Sequence, residues 1–114
     1  MLHWKGIMMI TLEKPVLAAL LVNATHEIDM GDGRQATIYY ETDCLAHMRR
    51  PDGAVMTGDW SLLDDGYAIE WRGGPSATWT LKADTGRIGY VDGQGDLRGT
   101  VKSIAFGNSA NLPG

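Results

Sequence analysis

Asp64-Asp65-Gly66-Tyr67-Ala68-Ile69-Glu70-Trp71-Arg72 reads as a tight turn followed by a strand. Behind the Asp-Asp-Gly turn, Tyr67, Ile69 and Trp71 alternate with Ala68, Glu70 and Arg72. A period of two sends the first set to one face of a sheet and the second to the other. The same rhythm extends in both directions. Turn clusters recur as GDG at 31–33, PDG at 51–53, DTG at 84–86 and DGQG at 92–95. The runs between them predict strands at 25–30, 35–41, 44–50, 54–62, 66–72, 77–83, 87–92 and 97–106. The connections are short and rich in Gly and Asp, the residues that supply the positive φ of hairpin turns. About eight antiparallel strands in meander order can close on themselves and lose their exposed edges. The expected fold is therefore mainly β, a closed β-barrel or strongly curled sheet, with a two-sheet β-sandwich as the alternative.

One segment has a different period. Thr11-Leu12-Glu13-Lys14-Pro15 reads as a helix start. The Thr11 side chain would accept from a first-turn amide, Glu13 suits the positive end of the dipole, and Pro15 falls where amides lack an intrahelical acceptor. Leu17, Leu20 and Leu21 share one helical face, and Asn23 is a stop. This predicts a helix over 12–22 whose leucines pack on the sheet or close one end of a barrel. With 114 residues there is room for one domain, over 11–106, flanked by an N-terminal tail (1–10) and a C-terminal tail (107–114).

Face assignments follow from the alternation. Ala77, Trp79 and Leu81 oppose Thr78, Thr80 and Lys82, and Cys44, Ala46 and Met48 oppose Leu45, His47 and Arg49. In the last strand Leu97, Gly99, Val101, Ser103 and Ala105 are expected inside. Interior sets that mix large aromatics with small residues suit a tapered, filled barrel, and equally the lining of a ligand cavity.

Composition and motifs exclude several chemistries. A net charge of -4 argues against nucleic-acid binding, which needs a basic surface; Arg49 and Arg50 read as a solvated pair. A single cysteine, Cys44, can form no intrachain disulfide. No apolar run approaches the ~20 residues of a membrane span. The apolar run 15–22 carries Thr11, Glu13 and Pro15 where a leader would be continuous, so the expected setting is cytoplasmic, without membrane.

Gly31-Asp32-Gly33-Arg34-Gln35-Ala36 fits the dinucleotide fingerprint on paper, but Thr37-Ile38-Tyr39-Tyr40 after it makes a strand, where the fingerprint needs a helix. Asp29, Asp32 and Glu41 lack calcium-loop spacing. His3, His26 and His47 read as tail or rim residues and assemble no metal site. Asn23-Ala24-Thr25 matches a glycosylation sequon. No cofactor is expected. For an enzyme, the candidate acid-base groups would be His47, Asp59 and Glu70, with Glu70 paired to a cross-strand cation.

The most distinctive stretch is Gly58-Asp59-Trp60 followed by Asp65-Gly66-Tyr67 and Trp71. It resembles the small eight-stranded barrels of the calycin type, lipocalins and avidins, which also use a Gly-x-Trp strand. It is similar, too, to uncharacterised small bacterial proteins with the same Gly-x-Trp, Asp-Gly-Tyr, Trp pattern. In lipocalins the Gly-x-Trp lies on the first strand and here near the fourth, so the resemblance implies a fold and no binding residues. The first expectation for function is a non-catalytic soluble barrel binding a small apolar or aromatic ligand against Tyr40, Met48, Trp60, Tyr67, Trp71, Trp79 and Tyr90. The alternative is a filled core acting as a structural or protein-interaction module, as a homodimer. Its first contact surface would be Trp4, Met8, Met9 and Ile10.

Overall fold

The computed structural model describes residues 10–42, 44–84 and 86–112, and in it one hairpin follows another. The elements are β1 (Ile10–Thr11), α1 (Lys14–Leu21), β2 (Ala24–Gly31), β3 (Arg34–Glu41), β4 (Leu45–Arg49), β5 (Val55–Leu63), β6 (Gly66–Trp71), β7 (Ser76–Asp84), β8 (Arg87–Val91) and β9 (Leu97–Phe106). From β2 to β9 each strand pairs antiparallel with the next, and β9 pairs back onto β2. The result is a closed eight-stranded up-and-down barrel. The short β1 adds a ninth strand by pairing with the far end of β7, Ile10 opposite Ala83 and Thr11 opposite Lys82.

The turns account for the Gly-Asp punctuation. Gly31 pairs with Arg34 across two residues, Asp32 (φ 55°) and Gly33 (φ 76°), both left-handed. That is the type I′ geometry which twists with the strands. Asp92 serves its own loop, its carboxylate accepting from the amides of Gln94 and Asp96 at 2.9 and 3.0 Å.

Two sequence expectations need correction. Thr11 does not cap α1: it is taken up by the pairing with β7, and the N-cap is Glu13, with no side-chain cap and Pro15 in the first turn. The stop at Asn23 does hold, at φ 56°. In β9 the face assignment fails after Val101. Glu27 pairs with Ser103 but Ile28 with Val101, so Lys102 is an extra residue on β9, and a bulge of one residue inverts the faces beyond it. Ile104, opposite the inward His26, takes the interior place, while Ser103 and Ala105 are exposed.

α1 closes one end of the barrel. Leu17 and Leu21 are fully buried, in one cluster with Tyr40, Trp60 and Leu81. The Lys14 amide donates to the Asp64 carbonyl in the β5–β6 turn at 2.8 Å, and the Leu12 amide to Leu81 at 2.9 Å. At that end β2 begins, β3 finishes and β5 turns into β6.

Beyond β9, residues 107–112 strap the outside of the wall. The Gly107 carbonyl accepts from Thr25 Oγ1 at 2.6 Å, the Ser109 amide donates to the same oxygen at 3.2 Å, and Arg49 donates to the Ala110 carbonyl at 3.3 Å. Leu112 is 3% exposed. This strap explains why Thr25, on the outward side of β2, is buried.

Candidate functional site

The interior of a barrel is built from alternate residues, and here its two halves differ. Toward α1 it is solid. Tyr40, Trp60 and Tyr67 pack edge to face, with ring centroids 5.1–5.8 Å apart, the geometry aromatic quadrupoles favour. At the opposite end a cavity of about 160 Å³ is lined by Ile28, Met30, Ala36, Ile38, Met48, Tyr67, Trp71, Trp79, Tyr90, Arg98 and Gly99. These residues sit where β2 and β4 end and where β3, β7 and β9 begin, so the cavity lies at the end that α1 leaves uncovered. Trp71 and Trp79 are half-buried there. Small residues make the room. A Cβ on Gly58 would lie 2.8 Å from the Trp71 ring, and one on Gly99 would lie 2.6 Å from the Ile28 side chain.

Of the aromatics and Met48 predicted for a ligand face, Met48, Tyr67, Trp71, Trp79 and Tyr90 line this cavity. Tyr40 and Trp60 lie deeper, under the helix, and are almost wholly buried. Trp60 Nε1 is a buried donor with no hydrogen-bond partner among the described residues. Trp4, Met8 and Met9 lie outside the described residues, as does His3; Ile10 is exposed on β1.

Between the cavity and the plug runs a chain of polar atoms that sequence reasoning missed. His26 is not a rim residue: it is fully buried. Its Nε2 lies 2.8 Å from the Leu20 carbonyl at the end of α1, and its Nδ1 lies 2.7 Å from the Tyr90 hydroxyl. The Tyr90 hydroxyl lies 2.8 Å from that of Tyr40, and Tyr40 2.7 Å from Tyr67. A carbonyl only accepts, so Nε2 carries a proton and donates. Burial lowers the His26 pKa below its ordinary 6.5, against the smaller opposing effect of the Leu20 bond, so the ring is neutral and Nδ1 is a bare acceptor.

Three contacts then need three protons, and three hydroxyls supply one each. The only complete assignment has Tyr67 donating to Tyr40, Tyr40 to Tyr90, and Tyr90 to His26. All three phenols are held protonated. Burial raises each pKa, with Tyr67 and Tyr90 adding charge repulsion at Tyr40 and Tyr67 adding it at Tyr90. No single sequence motif carries this network; the available signal was that His26, Tyr40, Tyr67 and Tyr90 all fall on inward phases.

The titratable residues named for catalysis do not meet. Asp59 lies opposite Glu70 on β6 and pairs with Arg72 at 3.1 Å. The cross-strand neighbours of Glu70 are Asp59 and Ser76, so the cross-strand cation expected opposite it is not there. His47 points to the outer face, with Nε2 at 3.0 Å from Glu41 and Nδ1 at 3.0 Å from Thr57, stacked on Tyr39. A hydroxyl, an imidazole and a carboxylate in series have the outline of a nucleophile and its base. Here His47 is 4% exposed and lines neither the barrel cavity nor the open groove of about 610 Å³ over the outside of β5–β7. Among the described residues no group of three His, Cys, Asp or Glu could hold a metal ion. Cys44 is an exposed strand-end residue. Comparison of this chain with protein-family models, with curated proteins and with solved structures yields no match.

Proposed function

We propose that this protein is a non-catalytic binding barrel that takes a small apolar or aromatic molecule into its uncovered end. The observation that supports this reading is the cavity of about 160 Å³ among Ile28, Met48, Trp71 and Trp79. Its size narrows the ligand. Pockets for drug-sized molecules run to about 300–1,000 Å³, whereas an engineered cavity of ~150 Å³ walled by aliphatic and aromatic side chains stays dry and binds benzene. The expected ligand is one ring, not a fatty acyl chain or a haem. An eight-stranded barrel is also the fold implied by the calycin-like resemblance. Binding would come from burial of ring surface, at ~25 cal/mol per Å² removed from water.

The test is intrinsic fluorescence, excited selectively at tryptophan, while toluene, a long-chain fatty acid and haem are added separately. Toluene should give a saturable change, because Trp71 and Trp79 line the cavity, and the larger ligands should give none. A flat response to toluene sinks the proposal. A second reading, a homodimer, is favoured by β1, which pairs on one side only among the described residues and leaves Ile10 63% exposed. Sedimentation velocity over a range of concentrations decides that question independently.

A further inference from the structure

Tyr67 belongs both to the cavity wall and to the hydroxyl chain. Its position at the head of that chain fixes what it can offer. The proton count above commits its only hydrogen to Tyr40, and no other hydrogen bond to its oxygen exists among the described residues. It therefore presents lone pairs and no donor. A hydroxyl that is itself donating is a better acceptor, because successive bonds polarise one another. Tyr90, the other wall residue in the chain, donates to His26 and accepts from Tyr40, so it too has no proton to give. The rest of the wall is aliphatic, aromatic or thioether, apart from the exposed Arg98, which is held 3.6 Å from Asp92.

We infer that the cavity selects a small aromatic ring bearing an O–H or N–H donor, received by the Tyr67 hydroxyl oxygen. A ring carrying a carbonyl or ether in the same place would set lone pair against lone pair and is disfavoured. This rests on the proposed binding role, and it adds the chemical class of ligand.

Phenol and toluene are nearly isosteric and differ in the donor alone, so they separate the two claims. Their affinities are measured at about pH 8, where His26 is neutral, by following the indole N–H resonances of Trp71 and Trp79, for the wild type and for Tyr67→Phe. The substitution removes the terminal acceptor and leaves the Tyr40-Tyr90-His26 bonds whole. The expected result is that Tyr67→Phe weakens phenol about tenfold, the scale of one well-made hydrogen bond, and changes toluene by less than about twofold.

Equal weakening of both, or no change in either, overturns the inference while leaving the binding role intact. Failure of both ligands to bind the wild type overturns the binding role itself. Should Tyr67→Phe not fold, the wild type alone still decides. A purely apolar cavity disfavours phenol against toluene as strongly as transfer to an alkane does, and a matched acceptor removes most of that penalty. Alkane-like discrimination would overturn the inference.

Discussion

At His26 both ring nitrogens are engaged and water is excluded, so the side chain has one comfortable protonation state. Protonating Nδ1 would place two donors face to face unless the whole row of tyrosine hydroxyls reversed. The consequence for stability has a definite sign. Above the ordinary histidine value of 6.5, folded and unfolded chains both hold His26 neutral. As the pH falls through that value, the unfolded chain takes up a proton and the folded chain does not. The contribution is complete above 6.5 and is lost as the pH falls towards the depressed folded value. It declines by at most about 1.4 kcal/mol per pH unit. We expect the urea midpoint to fall as the pH drops below about 6.5, and the His26 ring to titrate below its ordinary value by NMR, from a neutral Nε2–H tautomer. Titration of His26 at or above the ordinary value would contradict this.

At the scale of the element, α1 is short and gains little from helix propensity; an isolated eight-residue helix would not persist. Its stability comes from Leu17 and Leu21 in the barrel end. Leu21→Ala should cost about 2–5 kcal/mol, measured by urea unfolding, while the exposed Val16→Ala should cost little. The helix and the strands were legible because their periods differ and because Asp and Gly mark each turn. What escaped was whatever depends on a single residue or on distant partners. Lys102 inserts one residue into β9, and small side chains at Ser103 and Ala105 gave no sign that the phase had slipped. Thr11 had good capping chemistry, but the far end of β7, beyond its pairing with β6, was available to pair it. His26 finds its partners in Leu20 and Tyr90, six and sixty-four residues away, so a lone polar residue in a strand read as rim. The aromatic face itself was visible, but not whether it was filled: Tyr40 and Trp60 pack under the helix while Trp71 and Trp79 frame a void.

For the whole molecule, closure and strapping are separate devices. Among the described residues the barrel leaves the short β1 with one unpaired edge. The strap covers the outside of the wall, and its hydrogen-bond partners there, Thr25 and Arg49, are not among the cavity-lining residues. Leu112→Ala should therefore cost about 2 kcal/mol of stability and leave toluene affinity unchanged, a pairing checked by urea unfolding and the same fluorescence titration. If affinity fell with stability, strap and cavity would be coupled through the wall.

Closure also has a consequence for synthesis. The seam that completes the ring joins Ala24 to Phe106, so the leucine plug and seven of the eight staves are made before the last stave can be slotted between β8 and β2. Contacts this distant in the chain form slowly, because the loop must be closed before it is rewarded. At about 5–20 residues per second several seconds of synthesis pass before the ring can close, with Leu17, Leu21 and the tyrosine row not yet enclosed by it. The ten residues of β9 are the ones that complete the enclosure.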